Sequence, residues 1–79
     1  MDWTPENIKL LRLHLGDTQP AFARRVGVRR YQTVHEWEAG KIRPSGTTQT
    51  LLNMIANDAG FTERVAARLR EKLRREEGE

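Results

Sequence analysis

The chain has no cysteine, only five aromatic residues of the Phe, Trp and Tyr type, and no apolar run near the length of a membrane span. Without cysteine there is neither a disulfide staple nor a thiolate zinc site, and a span needs about 18 consecutive apolar residues. Histidine is scarce too: His14 and His35 fall on different predicted helices, which leaves little from which to build a metal centre or an acid/base cluster. A Gly-rich phosphate loop and a nucleophile with its base are also missing, so neither an enzyme nor a cofactor is expected. The opening MDWTPE is acidic and lacks the basic-then-apolar pattern of a signal peptide, so the expected location is cytoplasmic. No stretch alternates apolar and polar residues as a strand does, and the expected class is all-α.

Charge and periodicity are abundant. The 79 residues suit one small domain; 37% are hydrophobic and 32% charged, and the apolar ones recur at fixed spacings, which marks a folded chain. A core of this size supplies only about 3–5 kcal/mol of net stability unaided, so oligomerisation or a partner is expected. The net charge is only +3, yet residues 24–43 hold Arg24, Arg25, Arg29, Arg30, Lys41 and Arg43 against Glu36 and Glu38. Positive charge focused in one block suits a polyanion better than a diffuse excess does.

Three prolines and six glycines divide the chain into helical segments. Thr4 as N-cap, Pro5 at the first helical position and Glu6 in the first turn predict a helix from Thr4 to Gly16. Ile8, Leu11 and Leu15 form its buried stripe, and Trp3 is placed to staple onto Ile8. Thr18 and Pro20 open a second helix, whose small apolar face is Ala21, Phe22, Ala23 and Val26 and which ends at Gly27. A third runs to about Ala39, with Val34 and Trp37 turned inward and Gly40 beyond it. The stretch KIRPSG is read as a loop, followed by a fourth helix on Leu51, Leu52, Ile55 and Ala56 that stops near Gly60. A fifth, over 62–77, repeats apolar residues at Phe61, Val65, Leu69 and Leu73 with basic residues on its other faces. Its narrow stripe suits either packing on the domain or pairing with another helix, and the final EEGE is expected to fray.

Two runs carry a family resemblance: GDTQPAFARRVGV (16–28) and TVHEWEAGKIRPS (33–45). Their glycine, Thr-Gln, Ala, glycine landmarks, then Thr-Val, Trp-Glu, glycine and Pro-Ser, resemble those of Xre/Cro-type helix-turn-helix DNA-binding regulators. The match covers residues 8–56, about two thirds of the chain. Two departures stand out: Gly27 to Gly40 is one position longer than usual in that family, and Asp17 occupies a place that is usually apolar.

The resemblance implies a five-helix, phage-repressor-like fold, with the helix-turn-helix DNA-binding domain over residues 1–60 and the fifth helix, in residues 61–79, a C-terminal amphipathic extension for dimer or partner contact. It implies that the third helix enters the major groove, where Tyr31, Gln32 and Glu36 would face base edges. Gln can bond adenine N6 and N7 together, Glu can accept from cytosine N4, and Tyr can stack or reach a phosphate. Gln19, Arg29, Arg30, Thr33, Lys41 and Arg43 would contact phosphates. Arg24 and Arg25 are adjacent on one helix, so only one of them can point to DNA, and His35 is read as a surface or phosphate-side residue. Arg12 and Glu38 correspond to a basic and an acidic position that pair between helices one and three in several family members.

The function implied is sequence-specific repression of the chain's own or nearby promoters, as a homodimer on a two-fold operator of double-stranded DNA at a bacterial or phage nucleoid. An alternative is an antitoxin, because RPSG followed by Leu51 and Leu52 is similar to a variant found in antitoxin-type regulators of the same family. In that reading the C-terminal helix would hold a toxin protein as well as promoter DNA being bound.

Overall fold

Short polar side chains start most of the helices. Thr4, in an extended conformation, accepts a hydrogen bond from the Asn7 amide at 3.1 Å, and Pro5 opens α1 (Pro5–Leu15). The computed structural model describes residues 1–78, which form five helices and no strand: α1, α2 (Gln19–Val26), α3 (Tyr31–Glu38), α4 (Gly46–Asp58) and α5 (Glu63–Gly78). Thr18 accepts from the Ala21 amide, Ser45 from the Thr48 amide and Thr62 from the Val65 amide, each at 3.2 Å. Among the described residues α3 is the exception: Arg30 stands at its N-cap and makes no side-chain capping bond. Ser45 also corrects the expected loop, because its cap starts α4 at Gly46, inside KIRPSG.

A left-handed glycine closes each of the first four helices. Gly27 takes φ 78°, and its N–H reaches the Ala23 and Arg24 carbonyls, closing α2 before a four-residue turn over 27–30 that leads to α3. A left-handed residue with a side chain costs roughly 1–2 kcal/mol, so glycine is the fit for this turn. At Gly40, with φ 74°, an added Cβ would also stand 3.5 Å from the Pro5 ring, so the end of α3 comes close to the start of α1.

α2 and α3 make the most extensive helix pair, α1 packs on both α3 and α5, and α2 also packs on α4. Ile8 and Leu11 are buried and Leu15 is half-buried, but Leu10 is buried as well, a residue outside the expected stripe. The reason is that α1 is covered on two sides, with Leu10 beside Leu73 of α5. Phe22, Ala23, Val34 and Trp37 are all buried, joined by Leu52 and Ala56 from α4.

The core continues past residue 60 through Phe61 and Ala66. Trp3 does more than close over Ile8. Its ring stacks on Phe61 at 6.5 Å and 18°, and its Nε1 donates to Asn53 Oδ1 at 2.8 Å. His14 Nε2 donates to the Ala59 carbonyl at 2.9 Å, with its ring 5.4 Å from Phe61. Arg70 fastens α5 to α1, donating to Glu6 Oε1 at 2.7 Å and Asn7 Oδ1 at 3.2 Å. Val65, Leu69 and Leu73 are half-buried against the core, so the apolar stripe of α5 packs within the chain. Glu76, Glu77 and Gly78, where fraying is expected, continue α5, and position 79 of that stretch lies outside the described residues.

Candidate nucleic-acid interface

α3 is amphipathic over only eight residues. Val34 and Trp37, three apart, are buried and fix which way the helix faces. The opposite side then carries Gln32, His35 and Glu36, spaced three and four, with Ala39 one turn on. Gln32 and His35 are exposed, Glu36 is half-buried, and Tyr31 at the start of the helix is 47% exposed. Of the three expected base-facing residues, Gln32 and Glu36 share this row and Tyr31 lies at its edge. His35 belongs in the row. The sequence signal for it is its i+3 spacing from Gln32, which becomes usable once Val34 and Trp37 are known to point inward.

Cations stand at both ends of this row. Arg29 and Arg30 lie in the turn before α3, Lys41 and Arg43 in the loop after it, and all four are exposed. The Lys41 amide donates to the Glu36 carbonyl at 2.9 Å, and the buried Pro44 anchors the loop just beyond Arg43. Among the described residues none of these four pairs with a carboxylate, so their charge is available to a ligand. Thr33, expected at a phosphate, is half-buried in the first turn.

Behind the row, a charged network joins three helices. Arg12 Nε donates to Glu38 Oε2 at 2.7 Å and its Nη2 to Glu38 Oε1 at 2.9 Å, while Nη1 reaches the Asp17 carbonyl at 3.1 Å. The side chains of Arg12 and Glu38 are 13% and 8% exposed, so solvent screens the pair little. Gln19 Nε2 donates to Glu38 Oε1 at 3.3 Å. Gln19, expected at a phosphate, thus spends one donor inside this network and has one N–H left.

Asp17 is the network's second anchor. Arg25 grips its carboxylate with Nε at 2.7 Å and Nη2 at 3.0 Å. The hydrogen bond from Arg25 holds the Asp17 carboxyl below the usual carboxylate range, with the charges of Arg25, Arg12 and Arg24 adding to it and burial opposing. Of the adjacent pair on α2, Arg25 is therefore committed to Asp17, while Arg24 is exposed and unpaired among the described residues. The exposed charge around α3 is consequently more one-sided than the sequence suggests. Glu38 is neutralised by Arg12, and Glu36 is the one carboxylate left on the row.

Among the described residues no three His, Asp or Glu side chains gather as a metal-ligand set, and no helix is long and apolar enough to cross a membrane. Comparison with known proteins found no matching family model, no matching curated protein and no matching solved structure.

Proposed function

We propose that this chain is a sequence-specific double-stranded DNA-binding regulator of the helix-turn-helix type that represses its own or nearby promoters. In this reading α3 lies in the major groove, α2 crosses the backbone, and a homodimer meets a two-fold operator with half-sites about one helical turn apart. The observation that carries the reading is the outward face of α3. Its exposed or half-exposed hydrogen-bonding side chains, Gln32, His35 and Glu36, are flanked by four exposed cations without acidic partners among the described residues.

The chemistry follows from that arrangement. Gln32 offers the paired donor and acceptor that adenine presents in the groove, and Glu36 accepts from cytosine N4. Arg29, Arg30, Lys41 and Arg43 neutralise phosphates and release counterions, giving affinity without sequence preference. The spare N–H of Gln19 serves a phosphate from the start of α2. Binding rather than catalysis is the proposed activity, since His14 is engaged by the Ala59 carbonyl and His35 stands apart from it on α3.

The test is a fluorescence-polarisation titration of the chain against the duplex upstream of its own gene and a scrambled duplex, at two salt concentrations. The expected result is preference for the native duplex by on the order of 10³-fold, with a steep loss in salt. Equal affinity for both duplexes would defeat the reading.

A further inference from the structure

α5 carries charge that its own packing does not use. Arg64, Arg68, Lys72 and Arg75, spaced four, four and three, share one side of the helix, about a quarter-turn from the stripe of Val65, Leu69 and Leu73, and all four are exposed. Glu76 borders this face beside Lys72 without pairing among the described residues, and Glu71 lies at its other edge. It lies 3.7 Å from both Arg74 and Arg75, a separation that amounts to weak exposed pairing. Among the described residues Arg64, Arg68 and Lys72 have no carboxylate within ion-pair reach. Like charges at i and i+4 disfavour a helix, and here two such pairs follow one another, Arg64 with Arg68 and Arg68 with Lys72. A stripe that opposes the stability of its own helix is accounted for by a ligand that relieves the repulsion.

We infer that this outward face of α5 is a second, sequence-independent docking surface for the phosphate backbone of nucleic acid, distinct from the face of α3. Three features select that partner. First, the stripe has no apolar anchor larger than Ala67, whereas protein partners and membrane surfaces both draw on large apolar side chains for affinity. Second, the four cations form a line about 16 Å long on one side of the helix, a linear array that suits the line of charge along a nucleic-acid strand. Third, Ala67 leaves a shallow depression of about 360 Å³ edged by Arg68, Glu71, Lys72 and Arg75, which lets a phosphate approach between the cations. Arginine contributes its planar fork to such a contact, and the α1-facing side of α5 is already held by Arg70 on Glu6.

The experiment measures binding of a scrambled 30-base-pair duplex by fluorescence polarisation across a salt series. It compares the wild-type chain, the triple variant Arg64→Gln/Arg68→Gln/Lys72→Gln, and the turn variant Arg29→Gln/Arg30→Gln. Each phosphate contact adds about 0.9 to the slope of log affinity against log salt, so the triple variant is expected to lose about 2–3 units of slope. Its melting temperature should stay level or rise, because like-charge repulsion is removed. An unchanged slope overturns the proposal, as does a fall in melting temperature, which would make the cations structural. Displacement of duplex by poly-L-glutamate at equal charge also overturns it, in favour of an acidic protein segment, and so does failure of the wild-type chain to bind duplex at low salt. The reading of α3 fails separately, through loss of preference for the native duplex, whatever the triple variant does.

Discussion

Arginine does two different things in this molecule. At the helix junctions Arg12, Arg25 and Arg70 each present the same Nε and Nη2 edge to acceptors on another segment: Glu38, Asp17, and Glu6 with Asn7. On the outward faces of the turn before α3 and of α5, Arg29, Arg30, Arg64 and Arg68 meet no carboxylate among the described residues. The residue type is the same, and the difference lies in whether the fold sets an acid at the same junction. Paired arginines orient helices, and unpaired ones keep their charge for something outside the chain.

Removing a junction arginine should be the most costly change. Arg12→Ala strands the half-buried Glu38 carboxylate and is expected to cost about 2–3 kcal/mol. In a domain of this size that lowers the melting temperature by about 10–20 °C, read by circular dichroism. If Arg12→Ala melts with the wild type, the junction class loses its meaning. A change on the outward row should leave the melt alone and act on recognition. Gln32→Ala is expected to weaken the native duplex by about 1–3 kcal/mol, and the scrambled duplex hardly at all. Equal weakening of both duplexes would move Gln32 to the phosphate side.

The turn cations should behave as a third case. Arg29→Gln/Arg30→Gln is expected to weaken native and scrambled duplexes alike and to lower the salt slope by about 2. A loss confined to the native duplex would instead place one of them on a base edge. The smallest effect concerns pH. The folded chain holds Asp17 below its ordinary carboxyl value, so the Arg25 pair stabilises the fold fully above that ordinary value, and the benefit is lost as pH falls on through the lowered folded-state value. Asp17→Asn should therefore melt below the wild type at neutral pH, and the gap should begin to close only below about pH 4 and vanish once the folded-state carboxyl is protonated. Parallel curves over that range would show that the pair contributes no stability.

Helix boundaries were the most legible part of the sequence, because local chemistry sets them. Thr4, Thr18, Gly16 and Gly27 act within a few residues of the positions they control. Ser45 carried the same signal for α4, but the proline and glycine around it favoured a loop reading. Contacts made across the chain were harder to read. No local spacing reveals that Trp3 meets Asn53, 50 positions away, and the pairing of Arg12 with Glu38, 26 positions away, is expected from the family resemblance rather than from spacing. Leu10 escaped the stripe of α1 because one-sided periodicity assumes one covered face, and α5 covers a second. On the outward row the cations and Gln32 are visible in composition, whereas the place of His35 depends on knowing how α3 is turned.

The two tryptophans divide the molecule between them as light emitters. Trp3 rests on Phe61 and Asn53 where α4 gives way to α5, and Trp37 lies on the inner side of α3. Trp3→Phe and Trp37→Phe each leave one reporter, so the emission of each single-tryptophan chain follows a different part of the fold. If both shift to the red at one temperature, the chain unfolds as a single cooperative unit. If Trp3 shifts first, α5 opens by local unfolding while α3 stays seated, and the ring stack under Phe61 sets the temperature at which the two outward faces cease to move as one body.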